Sequence, residues 1–144
     1  SPFLRSIIIN KGSKQKINLG MAVMDGAYIV GKVVEVNYLS SRVLLLSDLN
    51  SKIPVIIEPN AVFSILSGTG KDYGVIQYSK KYEDIKNESV IYTSGAGSLF
   101  KAGIPIGRMN INNLSDEKKV DFFSDFSQLK FVKVVSFKKS ENKW

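Results

Sequence analysis

The sequence predicts an all-β protein, two small β-barrels packed side by side with little helix. Three observations carry this. About ten or eleven short apolar runs rich in β-branched and aromatic residues are separated by turn signals every eight to twelve residues. Helical periodicity is scarce, the best candidate being the single turn Ser115-Asp116-Glu117-Lys118, with an N-cap residue and an acidic start. The second half of the chain also repeats the order of the first.

The strands follow in order. Residues 4–10 hold Ile7, Ile8 and Ile9, apolar on both faces, and end at Asn10-Lys11-Gly12. Such a strand is either covered by a neighbour or central in its barrel. Residues 21–24 form a short strand closed by the hairpin signal Asp25-Gly26. Residues 28–38 carry Val30, Val33, Val34 and Val36, with Gly31 marking a bend or bulge. Residues 42–46 and 53–57 are two further strands, and Pro54 places its end of the second on a sheet edge or at the strand's start. Runs at 62–66, 73–78, 90–93, 121–123 and 131–137 complete the set. The polar tail is expected to fray.

The stretch 90–109 contains Gly95, Gly97, Gly103 and Gly107 between two apolar runs. A phosphate-cradling loop would need a helix opening after the glycines, and none follows. It reads as an enlarged hairpin corner in which the inserted Ser98-Leu99-Phe100-Lys101 projects toward a partner.

The duplication has four matches in the same order. Ile7-Ile8-Ile9-Asn10 answers to Val75-Ile76-Gln77-Tyr78, and Asp25-Gly26 to Ser94-Gly95. Ile29-Val30-Gly31-Lys32-Val33 answers to Pro105-Ile106-Gly107-Arg108-Met109, and Leu45-Leu46-Ser47-Asp48-Leu49 to Phe122-Phe123-Ser124-Asp125-Phe126. The expected division is a first barrel over 1–66, a second over 67–138 and a tail over 139–144, with strand exchange between the barrels allowed for. A barrel of this size buries only about 60% of its chain surface, so neither should stand comfortably alone.

Composition removes several classes of chemistry. The 144 residues include no histidine and no cysteine, so neither a Ser-His-Asp or Cys-His nucleophile system nor a thiolate metal site can be built. No spacing points to a metal or a cofactor. Ser-x-x-Lys at Ser98 recurs at Ser13, Ser115, Ser127, Ser136 and Ser140, as expected of a chain rich in both residues, and the Ser98 copy lies in a glycine-bracketed loop. Adjacent acids such as Glu83-Asp84 read as solvated turns. The net charge of +7 favours anionic partners, although a soluble lysine-rich surface is the better account of it. Candidate partner-binding residues are Phe63, Tyr73, Tyr78, Tyr92 and Phe100, aromatics near turns of the kind that anchor protein interfaces; core filling is the alternative for each.

Several motifs together resemble the MreC family of rod-shape-determining proteins. They are Gly12-Ser13-Lys14, Gly20-Met21-Ala22-Val23, Val30-Gly31-Lys32-Val33-Val34-Glu35-Val36 and Ser41-Arg42-Val43-Leu44-Leu45-Leu46-Ser47-Asp48. Ile65-Leu66-Ser67-Gly68, Asp84-Ile85-Lys86, Thr93-Ser94-Gly95 and Phe100-Lys101-Ala102-Gly103-Ile104-Pro105-Ile106-Gly107 continue the likeness, which runs from about Ile8 to Val135. Glu88-Ser89 stands where the family tends to have Gly-Asp, and Ser64 where a glycine is usual.

The resemblance implies paired barrels of trypsin-like topology without catalytic apparatus. It implies a periplasmic scaffold of the cell-wall elongation machinery that maintains rod shape. Its implied partners are the elongation-specific penicillin-binding protein, MreD, MreB and further copies of itself. Membrane attachment is expected only through an upstream segment outside this chain. The alternative reading is a basic β-barrel binding single-stranded nucleic acid, drawn from the charge and the interleaved Lys and Tyr between Tyr78 and Tyr82.

Overall fold

The computed structural model describes residues 5–77, 85–98, 100–112 and 117–136. The strands are β1 (Ser6–Ile9), β2 (Ala22–Asp25), β3 (Tyr28–Val36), β4 (Ser41–Leu45), β5 (Lys52–Glu58), β6 (Val62–Gly68), β7 (Tyr73–Gln77), β8 (Val90–Thr93), β9 (Pro105–Ile111), β10 (Lys118–Phe122) and β11 (Lys133–Val135). Single 3₁₀ turns lie at Ser13–Gln15 and Ala96–Ser98. The chain is all-β, as its alternation requires. Ser115 and Asp116 of the expected helical turn lie outside the described residues, and Lys118 already opens β10.

Two sheets result. One is a five-stranded sheet in the order β1-β4-β3-β2-β11; the other is a closed barrel in the order β10-β7-β6-β5-β8-β9. The duplication seen in sequence is a repeat of topology, because β7-β10-β9-β8 lie side by side just as β1-β4-β3-β2 do. The correspondence reaches single residues. Gly31 faces Leu45 across β3 and β4, and Gly107 faces Phe122 across β9 and β10. A Cβ on Gly31 would collide with the Leu44 carbonyl oxygen, and one on Gly107 with that of Asp121. Both copies therefore use glycine to let two backbones approach. Each copy's hairpin also carries an irregularity, between Val23 and Met24 in one and Ile91 and Tyr92 in the other.

The two copies are completed differently. β5 and β6 close the barrel, whereas β11 returns from the chain's end to pair with β2. The expected division at residue 66 had put β5 and β6 with the first unit; their hydrogen bonds run to β8 and β7 of the barrel. The first unit is an open sheet, and β1, with Ile8 54% exposed, is its edge rather than a central strand. Although β5 lies between β6 and β8, Pro54 falls where expected, near the strand's start and beyond Val55, the last β5 residue paired with β8. Its carbonyl accepts from Ser94 just where β8 has ended, so the missing N–H falls on a side with no ladder partner to lose.

Strict alternation fills the barrel. Ile53, Val55 and Ile57 of β5 point inward with Leu66, Ile76, Ile91, Ile106, Met109 and Val120. Ala22, Met24, Ile29 and Leu46 of the open sheet belong to the same cluster, which welds the two units together. Ile17, Val23, Val30, Val33 and Val43 form a second cluster on the open sheet, against which Leu129, Val132 and Val134 of the returning chain pack.

A polar junction fixes the crossing from one sheet to the other. Asp48 is 1% exposed, and its carboxylate accepts the Arg5 N–H at 2.6 Å and the Asn50 N–H at 2.8 Å. The Arg5 guanidinium donates instead to Ser47 Oγ and the Gly70 carbonyl. Ser47 and Ser51 accept from the backbone of Gly70 and Gly68, so the start of the chain, the crossing and the end of β6 meet at one point.

Candidate functional site: the outer face of the barrel

Inward apolar residues are required to fill a barrel, but outward ones are not. The outward positions of β5, β8 and β9 are nonetheless apolar at one level. Phe63 of β6 lies opposite Ile56 of β5, Ile56 opposite Tyr92 of β8, and Tyr92 opposite Pro105 of β9. The row crosses four adjacent strands. Phe63 is 66% exposed, while Ile56, Tyr92 and Pro105 are half-buried against their cross-strand neighbours. Ile65 and Pro54 pair one step along and widen the patch. Beyond Tyr92 the surface falls into an open depression of about 370 Å³ lined by Glu58, Pro59, Lys86, Asn87, Glu88, Ser89 and Val90. The result is an apolar band with a polar, mixed-charge rim, the anatomy of a protein-docking surface.

Of the residues singled out in the sequence, Phe63 and Tyr92 come together in this row. Tyr73 does not, because it starts β7 at the opposite end of the barrel and lies half-buried under the Lys119 ammonium, 4.3 Å from its ring centre. Tyr78 and the Tyr78–Tyr82 stretch that motivated the nucleic-acid reading lie outside the described residues. Phe100 is the clear departure: it is 6% exposed and packs in the main core instead of projecting.

The cause of that departure is Thr93. Its Oγ1 donates to the Lys101 carbonyl at 2.7 Å and accepts the Ile104 N–H at 2.9 Å, and its backbone pairs with Gly103 and Ile104. The enlarged corner is thus folded back over the end of β8, carrying Phe100 inward. Ile56, Pro54, Ile65 and Pro105 were not singled out in the sequence. The signal that could have found them was the run Ile53-Pro54-Val55-Ile56-Ile57, apolar at outward as well as inward positions.

Among the described residues no group of three or more acidic side chains is placed to hold a metal ion, and no helix is long and apolar enough to cross a membrane.

Barrel, open sheet and apolar outer face define an all-β barrel domain with a candidate protein-docking surface. Residues 1–136 match the family described as rod shape-determining protein MreC, barrel core, and the chain belongs to that family. It is 30% identical over 135 residues to the cell shape-determining protein MreC of Cereibacter sphaeroides, covering 94% of this chain and 45% of that protein. The chain thus spans about half the length of that relative. The crystal structure of MreC from Pseudomonas aeruginosa superposes with a TM-score of 0.85 at 29% identity, over 94% of this chain and 92% of that one. MreC of Helicobacter pylori, solved as a complex with the penicillin-binding protein PBP2, shares the fold with a TM-score of 0.61 at 19% identity, over 77% and 73%.

Proposed function

We propose that this chain is a non-enzymatic periplasmic scaffold of the wall-elongation machinery that docks the elongation-specific penicillin-binding protein on the outer face of its barrel. The observation that carries this reading is the Phe63–Ile56–Tyr92–Pro105 row, apolar side chains on the outside of a barrel whose inside is already filled. An aromatic residue centred in an apolar patch with a polar rim is the usual anchor of a protein interface. The penicillin-binding protein bound to the Helicobacter pylori MreC supports the choice of partner. Association with MreD and MreB, and self-association, belong to the same proposal; the open sheet supports the last because β1 and β11 are its outermost strands among the described residues.

The test is a titration of the chain with the periplasmic part of the elongation penicillin-binding protein, comparing wild type with Phe63→Ala and Tyr92→Ala. Each substitution removes a candidate anchor and is expected to weaken binding about tenfold or more, with Lys130→Ala as a distant control. Wild-type binding that both variants retain would refute this face as the docking site.

A further inference from the structure

We propose that the pole of the open sheet remote from the barrel docks directly on an anionic lipid bilayer, a contact separate from the penicillin-binding-protein face. Strand β3 runs from the barrel outward. Its first residue, Tyr28, has its ring 5.0 Å from that of Phe123, and Ile29 shares the core cluster of the barrel. Its far end, Val36, lies about 26 Å away for a strand of this length. The hairpin Asn37-Tyr38-Leu39-Ser40 therefore caps the end of the molecule opposite the barrel.

The tip exposes two large apolar side chains, Tyr38 at 63% and Leu39 at 55%. A basic loop is fastened beside them. Ser13 N–H donates to the Asn37 carbonyl at 2.8 Å, Lys14 N–H to the Tyr38 carbonyl at 3.0 Å, and Ser41 Oγ to the Lys11 carbonyl at 2.8 Å. Gly12 makes this attachment close, since a Cβ there would collide with the Asn37 and Tyr38 backbone. Lys11, Lys14 and Lys16 are all exposed, and among the described residues none is paired with a carboxylate. The first 24 residues contain four cations (Arg5, Lys11, Lys14 and Lys16) and no acid. The tip's own acid, Glu35, is engaged by Arg42 at 3.8 Å and by Asn37.

Apolar tips ringed by lysines fit a bilayer interface. Tyr and Leu enter the boundary between headgroups and acyl chains, while ammonium groups at the same level meet anionic headgroups. Nucleic acid fits the site less well, because Leu39 offers no stacking face and gains nothing from a phosphate backbone. The geometry leaves the barrel's docking row free, so one molecule could hold lipid at one pole and protein at the other.

The experiment is vesicle co-sedimentation of the 144-residue chain, with vesicles rich in phosphatidylglycerol against pure phosphatidylcholine and with salt varied. Sedimentation with the anionic vesicles that declines with salt is expected. Substituting Lys11, Lys14 and Lys16 together with Gln should lower the partition coefficient by about a hundredfold, at about fivefold per lysine. Tyr38→Ser combined with Leu39→Ser should lower it about tenfold or more, since apolar burial scales with area. Both sets lie on exposed side chains, and unchanged melting temperatures would confirm that the variants fold. Absence of sedimentation at low salt overturns the proposal. So does equal sedimentation with neutral vesicles, or binding that ignores the tip substitutions. Tighter lysine-dependent binding to a single-stranded oligonucleotide than to the vesicles would assign the pole to nucleic acid instead. None of these outcomes bears on the Phe63 and Tyr92 titration, so the two readings fail independently.

Discussion

Replacing Asp48 with Ala tests whether the crossing between the sheets is held by hydrogen bonds or merely passes between two independently stable units. The Asp48 carboxylate is buried and accepts two backbone N–H groups, those of Arg5 and Asn50. Removing it leaves both donors without their acceptor. An unsatisfied buried donor costs about 1–3 kcal/mol. Arg5 and Asn50 are near the surface and water can recover part of this, so the expected loss is about 2–4 kcal/mol. Asp48→Asn keeps the volume but offers one acceptor oxygen and turns an NH₂ toward the other donor, so an intermediate loss of about 1–2 kcal/mol is expected. Equilibrium urea unfolding followed by circular dichroism measures both. Because the main core spans the sheets, a single transition with a lower midpoint is expected for each variant. An Asp48→Ala midpoint indistinguishable from wild type would refute the clamp. Two separated transitions in the wild type would refute the shared core.

Further outcomes follow from the same geometry. Gly31→Ala and Gly107→Ala should each destabilise by about 1–3 kcal/mol in thermal or urea unfolding, because the added methyl meets a backbone carbonyl of the next strand; a neutral effect at either would break the structural equivalence of the two copies. Thr93→Val keeps the shape but strips the buried Ile104 N–H of its acceptor, costing about 1–3 kcal/mol and speeding hydrogen exchange at Ile104. Asp125 accepts from both Oγ and N–H of Ser127, which hold its carboxyl below the ordinary carboxylate pKa. Its contribution to stability is therefore present above the unfolded-state pKa and lost as pH falls through the lower folded value. NMR titration should show the Asp125 pKa rising in Ser127→Ala, which keeps the backbone N–H bond, and an unmoved value would exclude the Ser127 hydroxyl as the main cause.

Much of the fold was legible because β-sequence writes its two faces alternately. Ile53, Val55 and Ile57 alternate with Pro54, Ile56 and Glu58, and that pattern alone identifies β5. The duplication was legible because both copies need glycine at the same crossing, Gly31 and Gly107, and a large side chain opposite it, Leu45 and Phe122. What was not legible depends on which strands become neighbours. Nothing local to β5 and β6 says that they close the second copy, because closure is a property of the whole ring. Phe63 and Tyr92 could be singled out as aromatics, but their meeting in one row needs the register of β6, β5 and β8. Phe100 misleads for the same reason. A Phe beside glycines in a long corner reads as projecting until Thr93 is seen to fold that corner inward.

The unequal completion of the two copies has a consequence for how such a domain can make contacts. A closed barrel presents no free strand edge, so its outer surface can be recognised only through side chains. The Phe63–Ile56–Tyr92–Pro105 row supplies these in the form a protein interface needs, an apolar band with a polar rim. The open sheet has the converse character. Among the described residues β1 and β11 are its edge strands, and its far pole carries lysines beside an apolar tip. One β pattern, present twice, closed in one copy and left open in the other, thereby yields two chemically different surfaces. The buried cluster from Ala22 to Val120 and the Asp48 junction hold them in one rigid piece. The scaffold role proposed for this chain requires that combination: separate contacts that do not compete for the same atoms, joined by a core that fixes their relative position.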